Sequence, residues 1–445
     1  MHRFTFAIAA LFILFGLMAC SGSKKSGETV VPFENNQLQE QVENLQKQIK
    51  DNPNTLEYRR QLASLYQQNG REMDALQVLE RGFAIDPNDA ESKFLYAEIA
   101  ASLGDNLKAF RAYKDVLQSS DGDAYLDRVA PKFADAFPLT KLISTDANEA
   151  FGTFSASGDK VVYQSDQNGN WDIFEYDIAS TNITQLTNSP AHEENPVISP
   201  DGKEIIYTST VEDHRDVDYN QKLRDIFVKD LDTGRERNLT TNGSNDWRPR
   251  YSSDGKLIVF VSERNDLRNV PFYEFHGDIF LMESDGKFQR ALTKNSQNNG
   301  GACLAYGSTE ENGVIYFDSN RSGAYEIYKT DMKGAKTSQI TFNANSNDVS
   351  PDVSPRGDKI TFFSDRDGNY EIYLMNNDGS AVQRLTSNVS DDLNPVFSPD
   401  GTRIIFHSNR GGNFDIYMLD LTKEKSTPAL YEVISRIDKA IESLL

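Results

Sequence analysis

Apolar residues recur along this chain with two different periods, used in three successive stretches. Leu38, Val42, Leu45 and Ile49 fall four, three and four positions apart, which lines one face of a helix. That rhythm continues to about residue 137. From residue 139 it gives way to short runs of alternating apolar and polar positions, as along strands with one buried face. Leu430, Val433, Ile434, Ile437, Ile441 and Leu444 restore the helical spacing, and Thr427 and Pro428 ahead of them suit an N-cap and a first helical residue. The pattern predicts an all-α region, an all-β region and then an amphipathic helix over 428–445.

The helical region repeats. Pro53, Gly70 and Ala75 return, all at one common interval, as Pro87, Gly104 and Ala109. Small residues at 63 and 75 let two helices of a hairpin approach closely, Gly70 permits the turn between them, and Asp86-Pro87-Asn88 stops one helix and starts the next. This resembles a tetratricopeptide repeat solenoid over 35–137, with two full units over about 56–123. The helix carrying Leu38 covers one end and residues 124–137 the other, because each repeat buries its face only against a neighbour. The resemblance implies a concave face that takes a peptide or partner helix; the alternative is a spacer.

The strand region repeats six times. A turn glycine (Gly158, Gly202, Gly255, Gly313, Gly357, Gly401) precedes an apolar strand that ends in serine (Ser165, Ser209, Ser262, Ser319, Ser364, Ser408). An acid, an isoleucine and an aromatic follow, beginning at Asp172, Asp225, Asp278, Glu326, Glu371 and Asp415. Fourteen positions after the acid, five units reach Leu186, Leu239, Leu292, Ile340 or Leu385, each followed by threonine. Short strands joined by such turns predict a six-bladed β-propeller over 139–425. The sixth unit has no fourth strand of its own. The interval from Leu186, Leu239 or Leu385 to the next turn glycine equals that from Leu142 to Gly158, so residues 139–144 are expected to complete the last blade and close the ring.

"NPVISPDGKEIIYTS" and "NPVFSPDGTRIIFHSNRGGNFDIYMLD" resemble the repeats of the TolB family of periplasmic propellers. The resemblance implies a docking platform for envelope proteins. Similar blades precede the catalytic domain of prolyl oligopeptidase-like hydrolases, but no G-x-S-x-G elbow occurs and about 20 residues follow the last blade, so a hydrolase domain is not expected. Helical repeats ahead of such a propeller also resemble envelope lipoproteins, some tied to protein secretion and often ending in a peptidoglycan-binding domain. None follows here, and direct cell-wall binding is not expected.

The candidate binding site lies where the repeat lengthens. The stretches from Ser209 to Asp225 and from Ser262 to Asp278 are each nine positions longer than their counterparts in the other blades. The second insert carries Phe272, Tyr273 and Phe275, and Trp247 with Arg248 enters the same blade. Aromatics beside charges favour protein partners; the alternative is that they pack the inserts onto the ring. Two further alternatives stay open: a glycan or peptide ligand in the central channel, and a metal-dependent hydrolase or lyase with carboxylates and histidine converging there. "DRDGN" at 365–369 resembles part of a calcium loop, yet equivalent turns read "DQNGN" and "NRGGN", so hairpin geometry explains it. The histidines have no zinc spacing, Cys303 falls on an inner strand as a buried thiol, and no cofactor, metal or catalytic residue is expected.

The first residues give an address. Arg3 precedes an uncharged run over 4–17 that ends in "LMAC", too short to span a bilayer but suited to a signal h-region. It resembles a lipoprotein box, which implies a signal peptide over 1–19, acylation of Cys20 and a polar tether over 20–34. Ser21, rather than Asp, implies the periplasmic face of the outer membrane. Acylated Cys20 leaves Cys303 without a disulfide partner. A formal charge of -21 excludes nucleic acid as a partner.

Overall fold

A computed structural model describes residues 36–445 apart from 272–273, 295–296 and 424–426. The signal peptide, Cys20 and tether lie outside the described residues, as do Phe272 and Tyr273. Six helices come first: α1 (Asn36–Asp51), α2 (Leu56–Gln67), α3 (Glu72–Phe83), α4 (Ala90–Ser102), α5 (Asn106–Leu117) and α6 (Gly122–Val129). The helices α4 and α5 start one repeat period after α2 and α3. Ala63, Ala75, Ala97 and Ala109 are fully buried, as close helix packing requires. The Asp89 carboxylate caps α4 by accepting from the Ser92 amide, one of the orphan donors of a helix start.

The last helix, α7 (Leu430–Ser443), begins two positions later than the sequence predicts. Its N-cap is Ala429, because the Thr427 hydroxyl donates instead to Asp127 at 3.0 Å. Val433, Ile437 and Ala440 are buried in the same core as α2 to α6. Lys114 on α5 meets Asp438 at 2.5 Å. The end of the stack assigned to 124–137 is thus closed by α6 together with α7, a helix contributed from beyond the strands.

Between α6 and α7 lie six four-stranded antiparallel sheets. The inner strands are Glu149–Phe154, Glu193–Ile198, Asp246–Tyr251, Asn299–Leu304, Asp348–Val353 and Asp392–Phe397, heading blades 1 to 6. In blade 6 the outer strand is Leu139–Ile143, antiparallel to Asp415–Asp420 with Leu139 opposite Leu419 and Lys141 opposite Tyr417. The first strand of the region closes the ring, as the shared interval predicts.

The repeated acid and threonine form one clasp. In blades 2 to 5 the hydroxyls of Thr240, Thr293, Thr341 and Thr386 accept the amides of Ile226, Ile279, Ile327 and Ile372 at 2.9 Å. The same hydroxyls donate to Asp225, Asp278, Glu326 and Glu371. The acid therefore ties the third strand to the fourth, a structural role that satisfies buried polar groups. One landmark differs: five turn glycines have φ of 71 to 74°, whereas in blade 4 that conformation belongs to Gly307. Blade 4 spends residues 305–313 on this turn, against 155–159 in blade 1. Gly313 instead abuts Ser308, whose Cβ would lie 2.6 Å from an added Cβ.

A candidate docking face

Within a blade the strands alternate in direction, so the links between second and third strands, and from fourth strand to next blade, emerge on one rim. Both inserts, residues 210–224 and 263–277, stand there on adjacent blades. They are built alike. Asp213 accepts from Arg215 Nε at 2.9 Å, Arg215 Nη2 at 2.6 Å and the Leu223 amide at 2.7 Å, while Arg215 Nη2 also donates to the Gln221 carbonyl at 2.8 Å. At the matching place in blade 3, Asp266 accepts from Arg268 Nε at 2.9 Å, Arg268 Nη2 at 2.6 Å and the His276 amide at 2.7 Å, and Arg268 reaches the Glu274 carbonyl at 2.6 Å. Each arginine holds its aspartate far below the usual carboxylate range. Planar bidentate pairs of this kind fix geometry.

Blade 2's insert is further held by Tyr219, which lies 4.2 Å from the His192 ring, donates to Glu194 and carries the Arg224 guanidinium 4.9 Å above it. Arg224 meets Glu194 at 2.6 Å. In blade 3's insert the residue between the clamp members is Leu267, 91% exposed. Phe275 is half-buried.

Trp247 and Arg248 turn elsewhere. Trp247 packs on the core shared by blades 3 and 4, a cluster that includes Val261 and Ile279. Arg248 points into the channel. The inner strands carry a register shift at their centre, as between Trp247 and Arg250, and the third residue takes a left-handed backbone: Phe151, Asn195, Arg248, Ser350 and Asn394 have φ of 51 to 53°. Their side chains line the axis. Arg248 lies among them, 5.5 Å from the Phe151 ring and donating to Ser350 Oγ at 2.7 Å. Blade 4 makes room with Gly301, where a Cβ would fall 2.9 Å from Arg248 Nη1.

Two further titratable groups flank this arginine. Burial pushes Asp318 up to about 6 against the pull of Arg248, and its carboxylate accepts the Ser350 amide at 2.9 Å. Burial, with Arg248 adding to it, drops His407 to about 3, so it stays neutral and accepts the Phe151 amide at 3.4 Å. The channel retains about 40 Å³ of space. That is far short of the several hundred Å³ of ligand pockets.

The helices meet the same rim across the ring from the inserts. Ser387, in the link between blades 5 and 6, donates through its hydroxyl to the Lys132 carbonyl and through its amide to Asp135 at 3.2 Å, and the Ala136 amide donates to the Leu385 carbonyl at 2.8 Å. A cleft of about 690 Å³ lies between helices and blades, lined by Phe110, Lys132, Arg384, Arg410 and Arg436 among others. In the "DRDGN" turn, Asp365 accepts from Asn347 and Asp367 pairs with Arg384 at 3.2 Å. Among the described residues no three His, Cys, Asp or Glu side chains converge as a metal site, and no helix is long and apolar enough to cross a membrane. Cys303 is buried, its thiol pushed well up by burial.

Residues 347–436 match the family model of the TolB beta propeller domain. The propeller is TolB-like. A protein TolB homolog of Chlorobaculum tepidum is 30% identical over 146 residues, covering 32% of this chain and 29% of that one. The Tol-Pal system protein TolB of Francisella tularensis is 27% identical over 221 residues, covering 50% and 46%. The chain thus spans less than half the length of these curated relatives. Among solved structures, TolB from Acinetobacter baumannii aligns with a TM-score of 0.43 at 20% identity, over 64% of this chain and 66% of that one. An oligogalacturonate lyase from Vibrio parahaemolyticus aligns at 0.46 and 14% identity, over 65% and 96%.

On the TolB-like propeller, the residues that sequence reasoning missed are Leu267 and the two clamps. The Asp-x-Arg triplets at 213 and 266 keep the same distance from the serines ahead of them, Ser209 and Ser262. That signal is independent of the aromatics.

Proposed function

We propose that this protein is a docking scaffold of the bacterial envelope, held by a lipid on Cys20 at the periplasmic face of the outer membrane. Partners engage its tetratricopeptide-like helices (35–137) and its propeller (139–425), and the scaffold works by holding both at once. Its mechanism is a raised local concentration; it transforms neither partner. One observation carries the reading: the inserts clamped through Asp213 and Asp266 on blades 2 and 3 stand on the same rim as the helical segment that meets the link between blades 5 and 6, across a channel occupied by Arg248. A rim of that kind suits protein contact, and a channel of about 40 Å³ has no room for a glycan. The Tol-Pal name of the relatives supports an envelope complex. A charge of -21 favours partners with basic contact surfaces.

The test uses crosslinking in intact cells with Leu267→Asp and Phe275→Asp. Both positions lie on an insert outside the blade cores, so thermal stability is expected to hold while crosslinked partner falls at least tenfold. Undiminished crosslinking would overturn the blade 2 and 3 site.

A further inference from the structure

Blades 3 to 6 each place an arginine two positions after the serine that ends the second strand: Arg264, Arg321, Arg366 and Arg410. Each donates through Nε to that serine, at 2.7 to 3.1 Å. Each reaches through Nη2 the residue that opens the inner strand: Asp246 at 2.9 Å, Asn299 at 2.8 Å, Asp348 at 2.6 Å and Asp392 at 2.6 Å. The guanidinium lies over the paired rings of the second and third strands, 4.6 to 5.6 Å from their centroids.

Blade 2 has the other parts of this cradle but valine in the arginine's place. Val211 precedes Arg264 by the same interval that separates the two clamps. By that offset Glu193, Ser209, Tyr207 and Phe227 match Asp246, Ser262, Phe260 and Phe280. Glu236 matches Gln289, which accepts from Arg264 Nη1 at 2.6 Å. All five of these blade 2 side chains line a cavity of about 460 Å³ that Val211 also borders.

In its lining the Glu193 carboxyl, 3% exposed, keeps Oε2 with no hydrogen-bond partner. Burial, with the charge of nearby Asp172 adding to it, raises Glu193 to about 7. Asp172, 1% exposed, likewise has its Oδ1 without a hydrogen-bond partner. Five acids at other junctions are met by a cation: Asp246, Asp348 and Asp392 by their arginines, Glu371 by Arg384 at 2.9 Å and Asp415 by Lys141 at 2.9 Å. Lys229, which also lines the cavity, is engaged by Glu236 at 3.0 Å.

We infer that this cavity takes a guanidinium from outside the chain, namely an arginine side chain of the protein docked on the inserts. Val211 begins the blade 2 insert, so the inference rests on the docking reading above. Arginine fits where lysine does not, because the slot combines aromatic faces with carboxylates and a hydroxyl at its edges, which a planar fork of donors satisfies together.

The probe is N-acetyl-arginine amide, titrated onto the full chain by calorimetry, with the uncharged citrulline analogue as control. Wild type is expected to bind the arginine probe at least tenfold more tightly than the control. Val211→Arg supplies the guanidinium from within and is expected to lose probe binding at least tenfold while melting higher; Glu193→Gln provides a second loss of binding without a new side chain to accommodate. Equal binding of the two probes, or unchanged probe affinity in both variants, would overturn the slot. Failure is separable from that of the docking site: a Val211→Arg protein that crosslinks its partner like wild type removes the slot and leaves docking standing. Partner capture indifferent to Leu267→Asp and Phe275→Asp removes the docking reading whatever the probe does.

Discussion

Blades 2 and 3 share an insert of equal length and the same Asp-x-Arg clamp, and one common offset aligns them position by position. They diverge just past the second strand, where blade 3 has Arg264 and blade 2 has Val211. In blade 3 the guanidinium braces Asp246 from within the chain. In blade 2 the same surroundings form an acidic, aromatic cavity. On the inference above, Val211 in place of Arg264, with Glu236 in place of Gln289, turns an internal brace into a receptor, because neighbouring copies keep the backbone in place.

The comparison breaks most sharply at the brace. Arg264→Ala leaves the fully buried Asp246 carboxylate without its cation and is expected to cost about 3 to 5 kcal/mol in urea unfolding. Glu193→Gln in blade 2 is expected to cost far less, since no cation meets that acid; equal losses would erase the distinction between the blades.

Next come the clamps, where the blades are alike. Asp213→Ala and Asp266→Ala each remove an acceptor for one arginine side chain and two backbone amides, at a cost of about 1 to 2 kcal/mol. The loss is expected to be local, seen as faster hydrogen exchange at Leu223 or His276 respectively, with the other insert unchanged.

The smallest effect is a pH slope. Glu193 holds its proton up to about 7 when folded, above its ordinary value of 4.5. Its contribution to stability is full below that ordinary value and is lost as pH rises toward 7. Asp213 and Asp266 act with the opposite sign, because their depressed values stabilise at neutral pH and are lost on acidification. Melting temperatures of Glu193→Gln between pH 4.5 and 7 are expected to fall less steeply than those of wild type.

Much of the fold was legible because it was periodic. The six blades and the strand that closes them follow from intervals alone, and so do the two inserts. The fate of Trp247 and Arg248 was not legible. Strict alternation assumes an unbroken pleat, and the register shift between Trp247 and Arg250 turns residue 248 into the channel. The prolines after Asn195, Arg248, Ser350 and Asn394 mark that irregularity in hindsight. Long-range partners were likewise invisible: Thr427 reads as an N-cap until Asp127, far away in the chain, claims its hydroxyl. The Gly313 landmark failed because blade 4 lengthens its first turn, moving the left-handed backbone to Gly307.

The return of α7 to the core of α2 to α6 has a mechanical side. Helices and ring are joined by two covalent connections, one ahead of Leu139 and one after Asp420, and both leave the ring at blade 6. A single tie pulled by a bound partner would peel the outer strand Leu139–Ile143 from its neighbour one hydrogen bond at a time. Two ties divide the load and set α7 in shear against α5, so the ring's seam is spared the unzipping force.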